Sequence, residues 1–428
     1  MSRDPTVPET RVLAIASHVV FGYVGNKMAS FVLQSLGCEV SAINTVNYSN
    51  HTAYRQFRGT QVPASEILDL YEGLRQSFLN DFDVLLSGYI PSKEAVDAVG
   101  KIGRDLKFAS TTKPGAFFWA LDPVMGDEGR LYISPDVVPA YKSLLPHADL
   151  ALPNQFEAEL LSDVKITDRA SLLKALQALH KTYNLPHVII TSLRFPSGSD
   201  LGCKDGVEDM ITVVGSTATA GHEPRAFRVD THAFPAFFSG TGDMFAALTV
   251  ARLREAVRDA GLASTLSWRS ADDVKATDLP LARAVEKVVA SMQAVLGKTW
   301  KAREEVRVEV EGQMDRAGLV RGSEGREEEE KIRHLRLTRA AEVRLVRNVG
   351  DLVSPPEGER FRARAVEGDE TEAEQGKGEE GETEEKPAGE KTVEGEGIET
   401  EAVVVVEPEE VSHTTSKDTT EAERKPAP

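Results

Sequence analysis

From Arg11 onward, short apolar runs alternate with segments in which apolar residues recur at helical spacing. That alternation predicts a mostly parallel sheet covered by helices. Strands are expected at residues 11–16, 39–46, 84–86, 117–121, 150–152 and 188–191. Between them, Met28, Val32, Leu33 and Leu36 mark one helix closed by Gly37. A second carries Ile67, Leu70, Tyr71, Leu74 and Phe78, with Ser65 placed as its N-cap. A third spans residues 172–180. Further on, Met244, Phe245, Leu248 and Leu253 define a helix over residues 241–257. A longer one starts at Leu281 and carries Val285, Val288, Val289, Met292, Val295 and Leu296.

The pattern changes after Trp300. Residues 301–332 are dense in charge, and the block Glu327 to Glu330 repels itself, so this insertion is expected as disorder or solvated helix. Residues 341–346 alternate apolar and charged side chains, with Val343 and Leu345 against Glu342 and Arg344, which predicts a last edge strand within residues 333–366. From Glu367 the Glu/Gly/Thr/Lys composition buries too little apolar surface to offset chain entropy, Val403 to Val406 notwithstanding. The organisation is therefore a flexible start (1–10), a three-layer α/β/α domain (11–300), the insertion, a closing segment and an acidic tail (367–428).

Charge follows this division. Of the formal charge of -18, the tail holds -15, from 21 acidic and 6 basic residues, which leaves the first 366 residues near -3. A near-neutral body with an acidic tail argues against a nucleic-acid partner, which needs clustered Lys and Arg. Only Cys38 and Cys203 occur, without metal or disulfide spacing, so a reducing compartment is expected. The amino terminus lacks a basic start and apolar stretch, and no run approaches the ~20 apolar residues of a membrane span. A cytoplasmic protein without a membrane partner follows as the expectation.

Three clusters close predicted strands or open helices, where a doubly wound sheet places ligands. Gly240-Thr241-Gly242-Asp243 stands at a helix entrance, where backbone N–H groups and the dipole favour an anion. A carboxylate beside a phosphate is unfavourable unless it works as a base, so Asp243 is the candidate to take an alcohol proton; an N-terminal helix carboxylate in a tight turn is the plainer alternative. Asp122 and Asp127 flank a Gly-relaxed turn and could reach a hydrated magnesium ion. Asn154 and Glu157 face one side of a helix start, equally well read as a capping box. The loop from Ser17 to Asn26 has glycines but no Lys-Ser/Thr ending, which excludes a Walker-type NTPase, and no G-x-G-x-x-G opens the first helix.

Taken in order, SHVVFGYVGN, NTVNYSNHTAY, LLSGYI, DPVMGDEGRLY, LPNQFEAELL, VIITS and FSGTGDMFAALTVA resemble the pyridoxal kinase family of the ribokinase-like superfamily. The likeness covers residues 11–296 and resumes with AEVRLVRNVGDL, similar to that family's last strand. It implies transfer of the ATP γ-phosphoryl group to the 5'-hydroxymethyl oxygen of pyridoxal, pyridoxine or pyridoxamine. Asp243 matches the base, and Gly240, Thr241 and Gly242 match the anion hole. Ser17, Val24, Tyr48, Thr52 and Tyr89 match the vitamer pocket. Asp122, Asn154, Glu157, Thr191, Ser192, Phe234, Pro235, Ala236 and Thr241 would surround ATP, with Asp122, Asp127 and Glu157 near Mg2+.

The likeness also implies a homodimer, a cytoplasmic and nuclear location, and a monovalent cation such as K+. Leu152 stands where members often carry Thr, which removes one hydroxyl from that cation's surroundings. The loop after Asp127 is short, as in fungal and plant members. His18 and His51 are expected as hydrogen-bonding loop residues rather than metal ligands, and the charged segment 302–331 is expected to stay clear of the site. Rival readings are a hydroxymethylpyrimidine or sugar kinase, which would keep the turn and carboxylates but not the Ser17, Tyr48, Thr52 and Tyr89 set, and a non-catalytic vitamer-binding protein.

Overall fold

Each of the six apolar runs becomes a strand in the computed structural model, which describes residues 6–195, 210–318 and 326–366. They are β1 (Arg11–Val19), β2 (Glu39–Tyr48), β4 (Val84–Ser87), β5 (Phe118–Leu121), β8 (Leu150–Ala151) and β9 (His187–Leu193), all paired in parallel in the order β2-β1-β4-β5-β8-β9. The short β3 (Gly59–Gln61) adds antiparallel to β2, and β6 (Gly126–Asp127) with β7 (Arg130–Leu131) forms a separate hairpin. At the far side β10 (Met210–Ala218), β11 (Pro224–His232) and β12 (Arg364–Ala365) continue the sheet antiparallel, for ten strands among the described residues.

Helices cover both faces because the strands are apolar on both. Every residue of β4 and β5 is buried, so these strands read as continuous hydrophobic runs instead of alternating ones. One core joins Val12, Leu86 and Phe118 to α1 (Gly25–Ser35), α7 (Thr241–Asp259) and α8 (Pro280–Gly318). The other joins Leu13, Ile15 and Trp119 to α2 (Ala64–Gln76), α3 (Lys93–Ala109), α4 (Val137–Leu144), α5 (Gln155–Ser162) and α6 (Arg169–Tyr183). Neighbouring residues of one strand serve opposite cores, as the two-residue strand period requires. Each fully buried side chain of this kind contributes roughly 1.5–3 kcal/mol. Because β1 pairs with β2 on one side and β4 on the other, the chain reverses direction of sheet growth there, and the carboxyl ends of these strands open a crevice.

At the opposite ends of the strands, Asp149 (1% exposed) accepts the Trp119 N–H at 2.8 Å, Lys107 Nζ at 3.0 Å and the Ser267 hydroxyl at 2.6 Å. Removing the carboxylate strands a backbone donor and an ammonium. Asp149→Ala is therefore expected to lower unfolding free energy by about 3 kcal/mol in urea titration, and a loss below about 1 kcal/mol would show that the network does not hold the layers.

Several local expectations fail for identifiable reasons. Helix α2 starts at Ala64, so Ser65 lies in its first turn and Pro63, with φ fixed near -62°, occupies the cap position. Leu70 of that helix faces solvent, as does Phe78, which lies past the helix end with positive φ, and within the helix only Ile67 and Tyr71 are buried. Residues 341–346 form no strand: Val343 and Leu345 are buried as the alternation implies, but the Leu345 N–H bonds back to Val343 O, and the chain turns into the core. The strand that closes the sheet is β12 instead.

The charged stretch continues α8 and then resumes as α9 (Arg326–Ala340) before the short α10 (Val349–Val353). Its charges pair along and between the helices, as in Arg307 with Glu304 and Glu311, and Arg333 with Glu311. Glutamates 327–329 fall in the first turn of α9, where the helix dipole offsets their repulsion. Cys203, Val403 to Val406 and the tail lie outside the described residues. Among those described, no helix is long and apolar enough to cross a membrane.

Candidate active site

The glycine turn lies where strand ends and helix starts converge. Gly240 precedes α7 in the left-handed region (φ +79°), and a β-carbon there would lie 2.2 Å from Tyr23 O and 3.2 Å from Val24 Cγ1, so only glycine lets the two loops meet. Asp243 follows in the first turn of α7. Burial raises its pKa to about 6, against the pull of a hydrogen bond from the Gly25 N–H. A β-carbon added at Gly88, just past β4, would sit 3.7 Å from Asp243 Oδ1, and one added at Gly25 would sit 2.3 Å from Ser17 Oγ. Ser17 and Val24 are thus within one residue's reach of the carboxylate's own surroundings.

Asp122 follows β5, its N–H bonded to Ser87 O at 2.8 Å. Its carboxyl is 7% exposed and held well above the ordinary range, first by burial, then by the charges of Glu157 and Asp243. It lies 3.9 Å from the position a β-carbon of Gly242 would take. A small cavity of about 10 Å³, room for one water, is bordered by Asp122, Asp243, Gly88 and Asn26. Asn26 ties the ends of β1 and β2 together by donating to Ala16 O and Ile43 O, while its Oδ1 is buried without a partner.

Glu157 is used differently. Asn154 caps α5, accepting the Glu157 N–H at 2.9 Å and donating to Gly126 O at 2.7 Å. Glu157 in turn accepts from the N–H groups of Met125, Gly126 and Asn154. The pair is a capping box that also fixes the Asp122–Asp127 loop. Burial lifts the Glu157 carboxyl to about 7, although the three N–H bonds oppose this. Asp127 is exposed at the tip of the β6–β7 hairpin, whose central residues Glu128 and Gly129 both have positive φ.

On the other flank Tyr48 ends β2 beside Phe57, ring centroids 4.8 Å apart, and Tyr89 follows Gly88 with its phenol pushed up to about 12 by burial and by Tyr48. Thr52 is exposed at the start of a short turn. Thr191 and Ser192 lie half-buried in β9, with the Thr191 N–H bonded to Pro153 O. Phe234 packs against Phe238 and Trp300, and Pro235 and Ala236 follow it toward the glycine turn.

Among the described residues no three His, Cys, Asp or Glu side chains enclose a metal. What the cleft does offer is a buried, unpaired Asp122, a second acid at Asp243 and an orphaned amide oxygen, an oxygen-rich wall that suits a hydrated magnesium ion keeping water and phosphate ligands. Sequence reasoning missed Asn26 and Gly88, both within the quoted loop segments, and it missed the carboxyl-terminal arm. A cavity of about 710 Å³ lies between the arm and the loops that carry His51 and Ser239, bordered also by Arg303 and Glu311. The charged segment reaches this cavity, whose border includes none of the predicted site residues.

A glycine-opened helix start, a buried carboxyl in its first turn and a second buried acid, all at the switch point of a doubly wound sheet, are the arrangement of a ribokinase-like small-molecule kinase. A Phosphomethylpyrimidine kinase family profile matches residues 40–261. A Schizosaccharomyces pombe protein assigned to the pyridoxal kinases is 37% identical over 68% of this chain and 85% of its own. Pyridoxal kinase of Homo sapiens is 40% identical over 57% of this chain and 77% of its own. The solved pyridoxal kinase of Leishmania donovani with ADP and pyridoxamine superposes with a TM-score of 0.61 at 29% identity, covering 83% of this chain and 98% of that one. The chain belongs to the pyridoxal kinase family.

Proposed function

We propose that the chain transfers the terminal phosphoryl group of ATP to the 5'-hydroxymethyl oxygen of pyridoxal, pyridoxine and pyridoxamine. The observation that carries this reading is Asp243, a carboxylate with its pKa lifted to about 6, set in the first turn of the glycine-opened helix and sharing a cavity with Asp122. In this reading Asp243 accepts the alcohol proton as the oxygen attacks phosphorus, and the amides of Gly240, Thr241 and Gly242 stabilise charge on the transferring group. Ser17, Thr52, Val24, Tyr48 and Tyr89 hold the flat pyridine ring, for which two aromatic walls and a few hydroxyls suffice.

Asp122 and Asp127 would hold Mg2+ through its waters, and Glu157 supports them by fixing their loop. When bound, that ion neutralises the charge between the phosphates. Asn154, Thr191, Ser192 and residues 234–236 would border ATP. A monovalent cation such as K+, a homodimer and a cytoplasmic and nuclear location belong to the same reading, supported by the resemblance.

The test is a phosphorylation assay on purified protein with ATP and Mg2+, read by the absorbance of the phosphate product. B6 vitamers are expected to turn over and to be little inhibited by an equal concentration of hydroxymethylpyrimidine or adenosine. Preferential phosphorylation of the pyrimidine alcohol would overturn the substrate assignment, and vitamer binding without turnover would overturn the enzymatic one.

A further inference from the structure

Just beyond α9, Glu342 returns to the vitamer side of the cleft. Its Oε1 accepts hydrogen bonds from His51 Nε2 at 3.0 Å and from the Tyr54 hydroxyl at 2.9 Å. The other ring nitrogen of His51, Nδ1, lies 3.2 Å from Ser239 Oγ. With Nε2–H directed at a carboxylate, Nδ1 is left as the acceptor for the serine proton. His51 is 8% exposed, so the array is sheltered from competing water. The carboxylate also presses on the turn after β1. Gly22 has φ +94°, and a β-carbon there would lie 2.6 Å from both Glu342 oxygens, so any other residue would force the turn and the acid apart.

Two stretches therefore meet at one carboxylate, and a third joins them through His51. Gly22 stands between Ser17 and Val24, His51 precedes Thr52, and Ser239 precedes Gly240. The first two belong to the proposed alcohol side of the site and the third to its phosphoryl side. His334 Nε2 adds a second tie from α9, bonding Ala53 O at 2.8 Å. We propose that Glu342 is a positioning residue that, through His51, sets the vitamer loop against the anion turn and so holds the alcohol in register with the group it receives. Register matters because a shift of about 1 Å between reacting groups costs on the order of 10²-fold in rate.

The proposal rests on the vitamer kinase reading, and its test separates the two. Glu342→Ala is expected to raise the KM for pyridoxal about tenfold, as loss of a charge-assisted hydrogen bond does, to lower kcat with pyridoxal at least as much through lost register, and to leave the KM for ATP within about twofold. Glu342→Gln keeps an acceptor oxygen for His51 and Tyr54 and should stay within about threefold of wild type. In ligand-free protein, hydrogen exchange at the Tyr54 and Arg55 amides, bonded to His51 O and Thr52 O, should quicken about tenfold in the alanine variant and little in the glutamine one. An unchanged pyridoxal KM, an equal rise in both KM values, or a glutamine variant as impaired as the alanine one overturns the proposal while leaving the activity standing. A wild-type protein that phosphorylates no vitamer overturns the activity first; unchanged amide exchange in Glu342→Ala would then overturn the positioning role as well.

Discussion

Asp243→Asn should lower kcat for pyridoxal on the order of 10² to 10⁴-fold while vitamer binding persists, since asparagine keeps the shape of the side chain and loses only its capacity to take a proton. Wild-type kcat/KM should fall tenfold per pH unit below about 6, the value to which burial lifts this carboxyl. Protonation removes the base, so the limb lies on the acid side. Steady-state rates across pH 5 to 8 check both points. Near wild-type turnover by Asp243→Asn, or an acid limb that survives in that variant, would show that the proton goes elsewhere.

The second large effect belongs to Asp122, and it has two opposite signs. Asp122→Asn should lower turnover on the order of 10²-fold, because this buried acid facing the glycine turn no longer draws cation charge to the phosphates. The same change should raise unfolding free energy at pH 7 by about 0.5 to 2 kcal/mol. Burial, Glu157 and Asp243 all raise the folded-state pKa of this carboxyl. A carboxyl so raised favours the fold fully only below its unfolded pKa, and that contribution is lost as pH rises toward the folded value. The advantage of asparagine should therefore be absent near pH 3 and grow above about pH 4. Urea titrations of the two proteins at pH 4 and pH 8 read it, and equal differences at both would refute the argument from charge crowding.

Much of this arrangement was legible in the chain because parallel strands are buried on both faces and so announce themselves as unbroken apolar runs. The six central strands, α1, α6 and α7 emerge that way, as does the convergence of Asp122, Asn154, Glu157 and Asp243, each placed just after a strand or at a helix start. What escaped notice depended on partners distant in sequence. The alternation of Val343 and Leu345 reports burial, but whether buried residues lie in a strand or a turn depends on a neighbouring edge. The charged insertion at 301–332 reads as disorder or solvated helix, and pairing between α8 and α9, as of Arg333 with Glu311, is what holds its described residues in helices. Glu342, apart by nearly three hundred residues from His51, carried no local sign of its role.

Strand β12 has only two residues and covers the outer flank of the nine-residue β11 at Phe227 and Arg228. It arrives there after the whole excursion through α7, α8 and α9, so the interior of the sheet can be complete while this flank is still bare. A refolding chain spends that interval with exposed main-chain donors and acceptors in a row, a template for any neighbour in the same condition. Recovery of native protein from denaturant should accordingly fall as protein concentration rises, with the losses set by the wait for β12.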